Sequence, residues 1–286
     1  MSKTVAIISK PAKPELAEVI PKLGAWLEKN GYSIVADPET AYYDAKYPVV
    51  QRSEIAARKP EFVIVLGGDG TLLAAARVVA RSSIPILAVN LGSLGFLTDV
   101  PLGELYQTLE AVLKKSCTRE SRSLLDCKVM RGADPLAAFV ALNDVVVTKG
   151  TIARMTEVDV SINGEFVANY KADGVIIATP TGSTAYSLAA GGPVLAPSVD
   201  AFVITPVSPH ALTNRPLVVR DSVEIKMTIR GAPEEAFLTA DGQSGMPVHE
   251  GDTIICRKSE HHVHLLRSAG RTFFDVLRTK LKWGQR

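Results

Sequence analysis

A chain of 286 residues is too long for one small core and too short for three ordinary domains, so two medium domains are expected. With 47% hydrophobic and 22% charged residues, its balance is that of an ordinary globular protein and not of a disordered or fibrous one. A formal net charge of +2 with both signs scattered excludes a long footprint for a nucleic-acid backbone, and no apolar run reaches the ~18 residues of a membrane helix.

Met1-Ser2-Lys3-Thr4 leads at once into the strand-like run Val5 to Ile8, with no signal-peptide apolar region, so a cytoplasmic address is the default expectation. Leu16 to Leu27 has helical spacing. Asp37 to Pro48, with Pro38 and Tyr42-Tyr43, is polar and irregular and reads as a loop. Then come a strand at Phe62 to Leu66, a helix at Leu72 to Ala80, a strand at Ile84 to Val89 and a helix at Leu102 to Leu113. Such alternation predicts a parallel sheet covered by helices.

From Lys114 to Ser123, charged and small residues replace the apolar period, which reads as a linker and places the domain boundary near residue 118. Domains are expected at 1–118 and 119–267. Beyond the boundary the period becomes two: Val158, Val160 and Ile162 share a face before Asn163-Gly164, a strong hairpin signal, and the alternation returns at Val223, Ile225, Met227 and Ile229. The second domain is therefore strand-rich, a sandwich or paired sheets. Phe273 to Trp283 reads as an amphipathic helix, so 268–286 is expected to rejoin the first domain.

Cys117, Cys127 and Cys256 are far apart, with no Cys-x-x-Cys pair, and read as reduced structural thiols. His261-His262-x-His264 alternates with Val263 and Leu265, the pattern of a solvent-facing strand. There is no Walker loop and no Gly-x-Gly-x-x-Gly, so neither a P-loop ATPase nor a standard dinucleotide fold is signalled.

Gly67-Gly68-Asp69-Gly70-Thr71 ends an apolar strand before an Ala- and Leu-rich helix. Glycines at such a turn let backbone approach phosphates at a helix N-terminus. An acid there makes sense beside a phosphate-bridging metal, as acceptor of a hydroxyl proton, or as a helix cap, and the tetrapeptide alone does not choose among these. Thr179-Pro180-Thr181-Gly182-Ser183-Thr184-Ala185-Tyr186-Ser187 follows a second apolar run, leaving room for a flat base on which Tyr186 can stack. Asn143-Asp144 interrupts an apolar strand. On the residues alone it reads as a structural pair with specific partners.

Together, Gly67 to Thr71, Asn90-Leu91-Gly92-Ser93-Leu94-Gly95-Phe96-Leu97, Leu142-Asn143-Asp144 and Asp173-Gly174 through Gly192-Pro193 resemble the NAD kinase family, bacterial type, over roughly residues 62 to 243. Gly-Gly-Asp-Gly is shared with lipid kinases and phosphofructokinases, whereas the Asn90 and Thr179 segments are narrower signatures. The resemblance implies an α/β N-terminal domain (parallel sheet with helices) plus an all-β-rich C-terminal domain, with NAD in the cleft between them. It implies ATP as phosphoryl donor, a divalent metal cation such as magnesium, NADP as product, and a homodimer or homotetramer. By the same resemblance Asp69 accepts the proton of the adenosine ribose 2′-hydroxyl and Gly70 lies against the ligand. Asn143, Asp144, Asp173, Thr184, Ala185, Tyr186, Ser187, Leu188 and Ala189 then contact NAD, with Arg154, Lys171 and Gln243 at further contact positions. No protein metal ligand is assigned. Some family members carry a basic residue five positions after the reactive Asp, where this chain has Ala74, and Arg77 is the nearest cation. Two rivals stay open: a lipid kinase of the diacylglycerol or sphingosine type, and a non-catalytic NAD-binding sensor.

Overall fold

The computed structural model describes residues 3–150, 155–231, 236–267 and 270–284. In chain order they form β1 (Lys3–Ser9), α1 (Leu16–Lys29), β2 (Tyr32–Ala36), α2 (Pro38–Ala41), β3 (Phe62–Gly67), α3 (Asp69–Val79), β4 (Ile86–Asn90), β5 (Val100–Pro101), α4 (Leu105–Leu113), β6 (Thr118–Arg131), β7 (Asp134–Ala141) and β8 (Asp144–Thr148). There follow β9 (Thr156–Ile162), β10 (Glu165–Ala172), β11 (Gly174–Ala178), α5 (Tyr186–Ala189), β12 (Ala201–Val207), β13 (Leu217–Arg220), β14 (Ile225–Gly231), β15 (Ala236–Ala240), β16 (Ser244–Val248), β17 (Thr253–Arg267) and α6 (Phe273–Leu281). The chain divides into two compact units, Met1–Ser121 with His262–Arg286, and Arg122–His261. The first is α/β and the second β-rich.

In the first unit β2, β1, β3, β4 and the end of β17 lie side by side, all parallel. Val5 to Ile8 and Phe62 to Leu66 are buried throughout, as strands covered on both faces must be. Helix α1 turns Leu16, Ile20, Leu23 and Leu27 inward at helical spacing. Gly24 lies on the same face, where a Cβ would stand 1.9 Å from the Tyr47 hydroxyl. The parallel register sets Ser9 beside Leu66 and Gly67 beside Asn90, so the carboxyl ends of β1, β3 and β4 form one edge. That edge is where open α/β sheets bind ligands.

Three local readings change. Asp37 to Pro48 is not loop throughout: Pro38 opens the short helix α2, capped by Asp37, whose Oδ1 accepts from Thr40 N at 2.9 Å. Proline suits the first helical position, where its missing N–H has no intrahelical partner to lose. Strand β2 had no counterpart among the predicted elements; Gly31, at φ 82°, turns the chain out of α1 directly into it. The polar linker from Lys114 becomes strand at Thr118, and its charged residues meet distant partners, Glu120 pairing with Arg267. Local composition cannot show such pairings.

In the second unit β13, β12, β11, β8, β15 and β16 form an antiparallel sheet. Strands β10, β9, β14 and the start of β17 form another ladder, also antiparallel. Val145, Val147, Val175, Ile177, Phe202 and Ile204 share one core with Val158, Val160, Ile225, Met227 and Ile254, which makes a sandwich. Asn163 (φ 51°) and Gly164 (φ 87°) supply the two left-handed residues of the β9–β10 hairpin. Val146, Ile176, Ala178 and Val203 are covered on their other side, by Ala190 and Leu195 among others. This double cover explains the unbroken apolar run Val175 to Ala178.

Helix α6 opens with a capping box, in which Thr272 and Asp275 each take the other's backbone N–H, and it buries Val276 and Leu277. On β17, Val263 and Leu265 are buried and His262 and His264 half-exposed, the expected alternation. Cys127 and Cys256 sit in the sandwich core, and all three cysteines are free thiols. Among the described residues no helix is long and apolar enough to cross a membrane.

Candidate active site

Strand β3 ends at Gly67, extended Gly68 precedes the helix, and Asp69 is the first residue of α3. Asp69 does not cap its own helix. Its carboxylate instead holds the loop that follows β4: Oδ1 accepts from Leu97 N at 3.1 Å, Thr98 N at 3.0 Å and Thr98 Oγ1 at 2.9 Å, and Oδ2 accepts from Phe96 N at 2.9 Å. An ionised carboxylate offers about four acceptor sites, two per oxygen. Oδ2, with one of these donors, keeps room for a hydroxyl.

The loop is braced from its other side by Asn90, at the carboxyl end of β4. Asn90 Nδ2 donates to Ser93 O at 2.7 Å and to Thr98 Oγ1 at 2.9 Å, and its Oδ1 accepts from Gly92 N at 2.6 Å. The Thr98 hydroxyl thus accepts from Asn90 and donates to Asp69. Gly95 is the close-approach point, since a Cβ there would lie 2.1 Å from Asp69 Oδ1 and 2.3 Å from Thr98 Oγ1. The segment Asn90 to Thr98 therefore builds a cradle for one carboxylate.

Two outcomes follow from this cradle. Thr98→Val keeps the backbone bonds but leaves Asn90 Nδ2 and Asp69 Oδ1 each one partner short, and is expected to cost about 1–3 kcal/mol in urea unfolding. Gly95→Ala must push Asp69 out of place, whereas a Cβ at Gly68 meets nothing within 4 Å. Gly68→Ala is therefore expected to melt like the parent and Gly95→Ala well below it, measured by thermal unfolding.

In the second unit Leu142 and Asn143 form a bend between β7 and β8, and Asp144 begins β8. The sequence suggested one strand running through the pair; the structure has two, with Leu142 and Asn143 in the bend and Asp144 opening the second. The reason is Asp241, whose carboxylate takes the place of ladder partners: Oδ2 accepts from Leu142 N at 3.0 Å, and Oδ1 from Asn143 N at 2.7 Å and Asp144 N at 3.3 Å. Asp241 N donates back to Asp144 O at 2.9 Å. Asp241 holds a left-handed φ of 54°, a conformation disfavoured for non-glycine residues and here over-determined by these bonds.

Against the same bend lies the turn after β11. Thr179 N donates to Asn143 O at 2.9 Å, Thr179 Oγ1 to Leu142 O at 2.6 Å, and Gly182 N to Thr179 Oγ1 at 3.1 Å. The chain then runs through Thr184, whose hydroxyl bonds Thr181 O, and Ala185 into α5. Tyr186 is 43% exposed, and Leu188 and Ala189 also reach the surface. Ser187 is wholly buried, its hydroxyl 2.8 Å from that of Thr205. Asp173, half-buried, pairs with Lys149 at 2.6 Å. Lys171 stands on the exposed side of β10 in an ion pair with Glu157 at 2.7 Å, and Gln243 is exposed in the Asp241–Gln243 turn. Gly70 is exposed in the first turn of α3. Arg154 lies outside the described residues.

Thr98 and Asp241 were not singled out from the sequence, and Asn90 entered only as the first residue of the Asn90–Leu97 signature, with no role assigned. Asn90, a polar end to an apolar strand, and Asp241-Gly242, a turn pair after alternating Ala236 to Ala240, were the available signals.

Burial first, and the neighbouring Asp241 second, push the Asp144 carboxyl from the usual carboxylate range up to about 7. The folded state therefore holds a proton that the unfolded chain releases near pH 4. Stability from this group is full below that pH and is lost as pH rises toward 7, at up to about 1.4 kcal/mol per pH unit. Asp144→Asn is expected to flatten the slope of urea midpoint against pH between 4.5 and 7. An unchanged slope would mean that Asp144 stays ionised.

A cavity of about 580 Å³ elsewhere in the first unit is lined by Arg119, Glu120, Arg267 and Arg271. Its arginines are already bonded to Ser83 O, Asp99, Glu120 and Glu104, so it competes poorly with the Asp69 cradle as a site. Among the described residues no group of three or more His, Cys, Asp or Glu side chains comes together to hold a metal.

The chain resembles known proteins over nearly its whole length. Residues 5–117 match the family model for the ATP-NAD kinase N-terminal domain, and 142–268 that for the C-terminal domain. A protein of Koribacter versatilis named NAD kinase is 59% identical over 99% of both chains. One of the same name from Acidobacterium capsulatum is 53% identical over 99% of this chain and 100% of its own. Among solved structures, yeast NADH kinase complexed with NADH superposes at a TM-score of 0.90 with 27% identity, covering 100% of this chain and 89% of that one. An NAD kinase from Archaeoglobus fulgidus in complex with ATP gives 0.78 and 25%, with coverage of 96% and 98%.

Proposed function

The chain belongs to the NAD kinase family, and we propose that it moves the terminal phosphoryl group of ATP to the 2′-hydroxyl of the adenosine ribose of NAD, with Asp69 taking the hydroxyl proton. The observation that carries this role is the carboxylate itself, held by four donors with Oδ2 open to a fifth, at the carboxyl edge of a parallel sheet. As the ribose oxygen bonds to phosphorus, its proton passes to Oδ2. The bond from phosphorus to the bridging oxygen breaks, and ADP leaves with that electron pair. Gly68 and Gly70, without side chains, let phosphates approach the start of α3.

The bend at Asn143-Asp144 and the turn from Thr179 to Ala189 are assigned to the dinucleotide. Asn143 offers an amide, Asp144 a carboxyl that below about pH 7 also donates, and Tyr186 a ring face. Backbone contacts are the natural role for Ser187, whose hydroxyl is engaged with Thr205. Asp173, Lys171, Gln243 and Arg154 are proposed as outer contacts. The divalent cation is assigned to the donor, entering as metal–ATP substrate. A cytoplasmic address and a homodimer or homotetramer complete the reading, as the resemblance to the family implies.

Purified protein with NAD, ATP and magnesium is expected to yield NADP. Folded protein that makes none, or that phosphorylates diacylglycerol or sphingosine instead, sinks the reading. NAD binding by calorimetry without turnover would favour the sensor.

A further inference from the structure

The cation nearest in sequence to the reacting carboxylate, Arg77, lies eight residues along α3, half-buried, and the position five residues after Asp69 is Ala74. Donor phosphates carry several negative charges and call for a mobile cation beside the cradle. We infer that Lys280, in the last turn of α6, is that cation and binds the phosphate chain of the nucleotide donor. This rests on the reading of Asp69 as the phosphoryl-transfer centre.

The link is Phe96. Its backbone N–H donates to Asp69 Oδ2 at 2.9 Å, while its ring lies under Lys280, with Nζ 5.8 Å from the ring centroid. One residue therefore joins the reacting carboxylate to an ammonium, and both lie in the first unit. A ring face attracts a cation without neutralising it, so the full charge stays available. The described arginines of the same C-terminal segment are spent on partners: Arg267 on Asp99 and Glu120, Arg271 on Glu104, Arg278 on Asp275. Lys280 makes no ion pair with any described residue and is exposed. A flexible stem with three N–H donors suits a point-charge contact to phosphate. The capping box at the other end of α6 fixes the helix from which Lys280 projects.

The test is steady-state kinetics of Lys280→Ala, Lys280→Arg and Phe96→Leu, with thermal melting as a check on folding and Asp69→Asn as reference. Lys280→Ala is expected to raise the KM for magnesium–ATP about tenfold, leaving the KM for NAD unchanged and kcat within about threefold. Lys280→Arg restores most of the loss, and Phe96→Leu, which keeps the backbone N–H, gives a smaller rise. An unchanged KM for ATP in Lys280→Ala, or a rise confined to NAD, overturns the assignment. If Asp69→Asn is inactive in the same experiment while Lys280→Ala behaves like the parent, the Lys280 assignment fails and the Asp69 reading stands. Should the parent make no NADP, calorimetry of magnesium–ATP decides Lys280 separately: equal affinity in parent and Lys280→Ala overturns it, and weaker binding in the variant supports it.

Discussion

Asp69→Asn is expected to lower kcat by about 10² to 10⁴, the range for removing a general base, with a change in the KM for NAD of only a few-fold. The amide can satisfy part of the cradle but not all of it. Its carbonyl oxygen can take the place of Oδ1, which has three donors; the NH₂ then falls at Oδ2 and faces Phe96 N–H, donor against donor. A loss of about 1–3 kcal/mol in unfolding free energy should accompany the lost rate. The two effects separate through Thr98→Val, which disturbs the cradle by a similar amount and leaves the Asp69 carboxylate in place. If the two variants lose activity equally, Asp69 acts as a loop anchor alone. If Asp69→Asn falls much further, it is the acceptor.

Gly182→Ala is the second large effect expected, and it acts in the other unit. A Cβ at Gly182 would stand 2.0 Å from the carbonyl oxygen of Asn143 and 2.4 Å from its carbonyl carbon. Both are backbone atoms, so no rotamer change relieves the contact. Either the turn lifts, breaking Thr179 N to Asn143 O, or the bend moves against its three bonds to Asp241. Overpacking of this kind costs about 1–3 kcal/mol and occasionally more. The KM for NAD should rise at least about tenfold while the KM for ATP changes little. Gly182→Ala protein that binds NAD like the parent would show that the bend and turn do not carry the dinucleotide.

These expectations draw on different parts of what is legible in the chain. Gly67 to Thr71 is visible at once, because a turn between a doubly buried strand and a helix needs small residues, and an acid among them stands out. That the acid reaches forward 27 residues to Phe96 is not visible, because the contact depends on parallel pairing that brings the carboxyl ends of β3 and β4 together. Asn90 and Thr98 look like ordinary polar punctuation for the same reason. Asn143-Asp144 read as a strand interruption, and its true form, a bend, is imposed by Asp241 from 97 residues away. Pro38 misled because proline both marks loops and starts helices, and only the Asp37 side chain on Thr40 N decides between them.

By itself the sequence determined what repeats locally or travels as a motif. The strand–helix alternation before residue 118, the period of two after it and the Asn163-Gly164 hairpin are set by side-chain periodicity and by backbone preference. The resemblance to NAD kinases rides on four short segments. Tertiary structure alone decided which groups those segments serve: that the Asp69 carboxylate is cradled by the loop after β4 and does not cap its own helix, that Asp241 shapes the Asn143 bend, and that Phe96 ties a C-terminal lysine to the Asp69 carboxylate. Hydrogen bonds and charge contacts act over about 3 to 6 Å in space with no regard for separation along the chain, so they become readable only once the fold has brought their partners together.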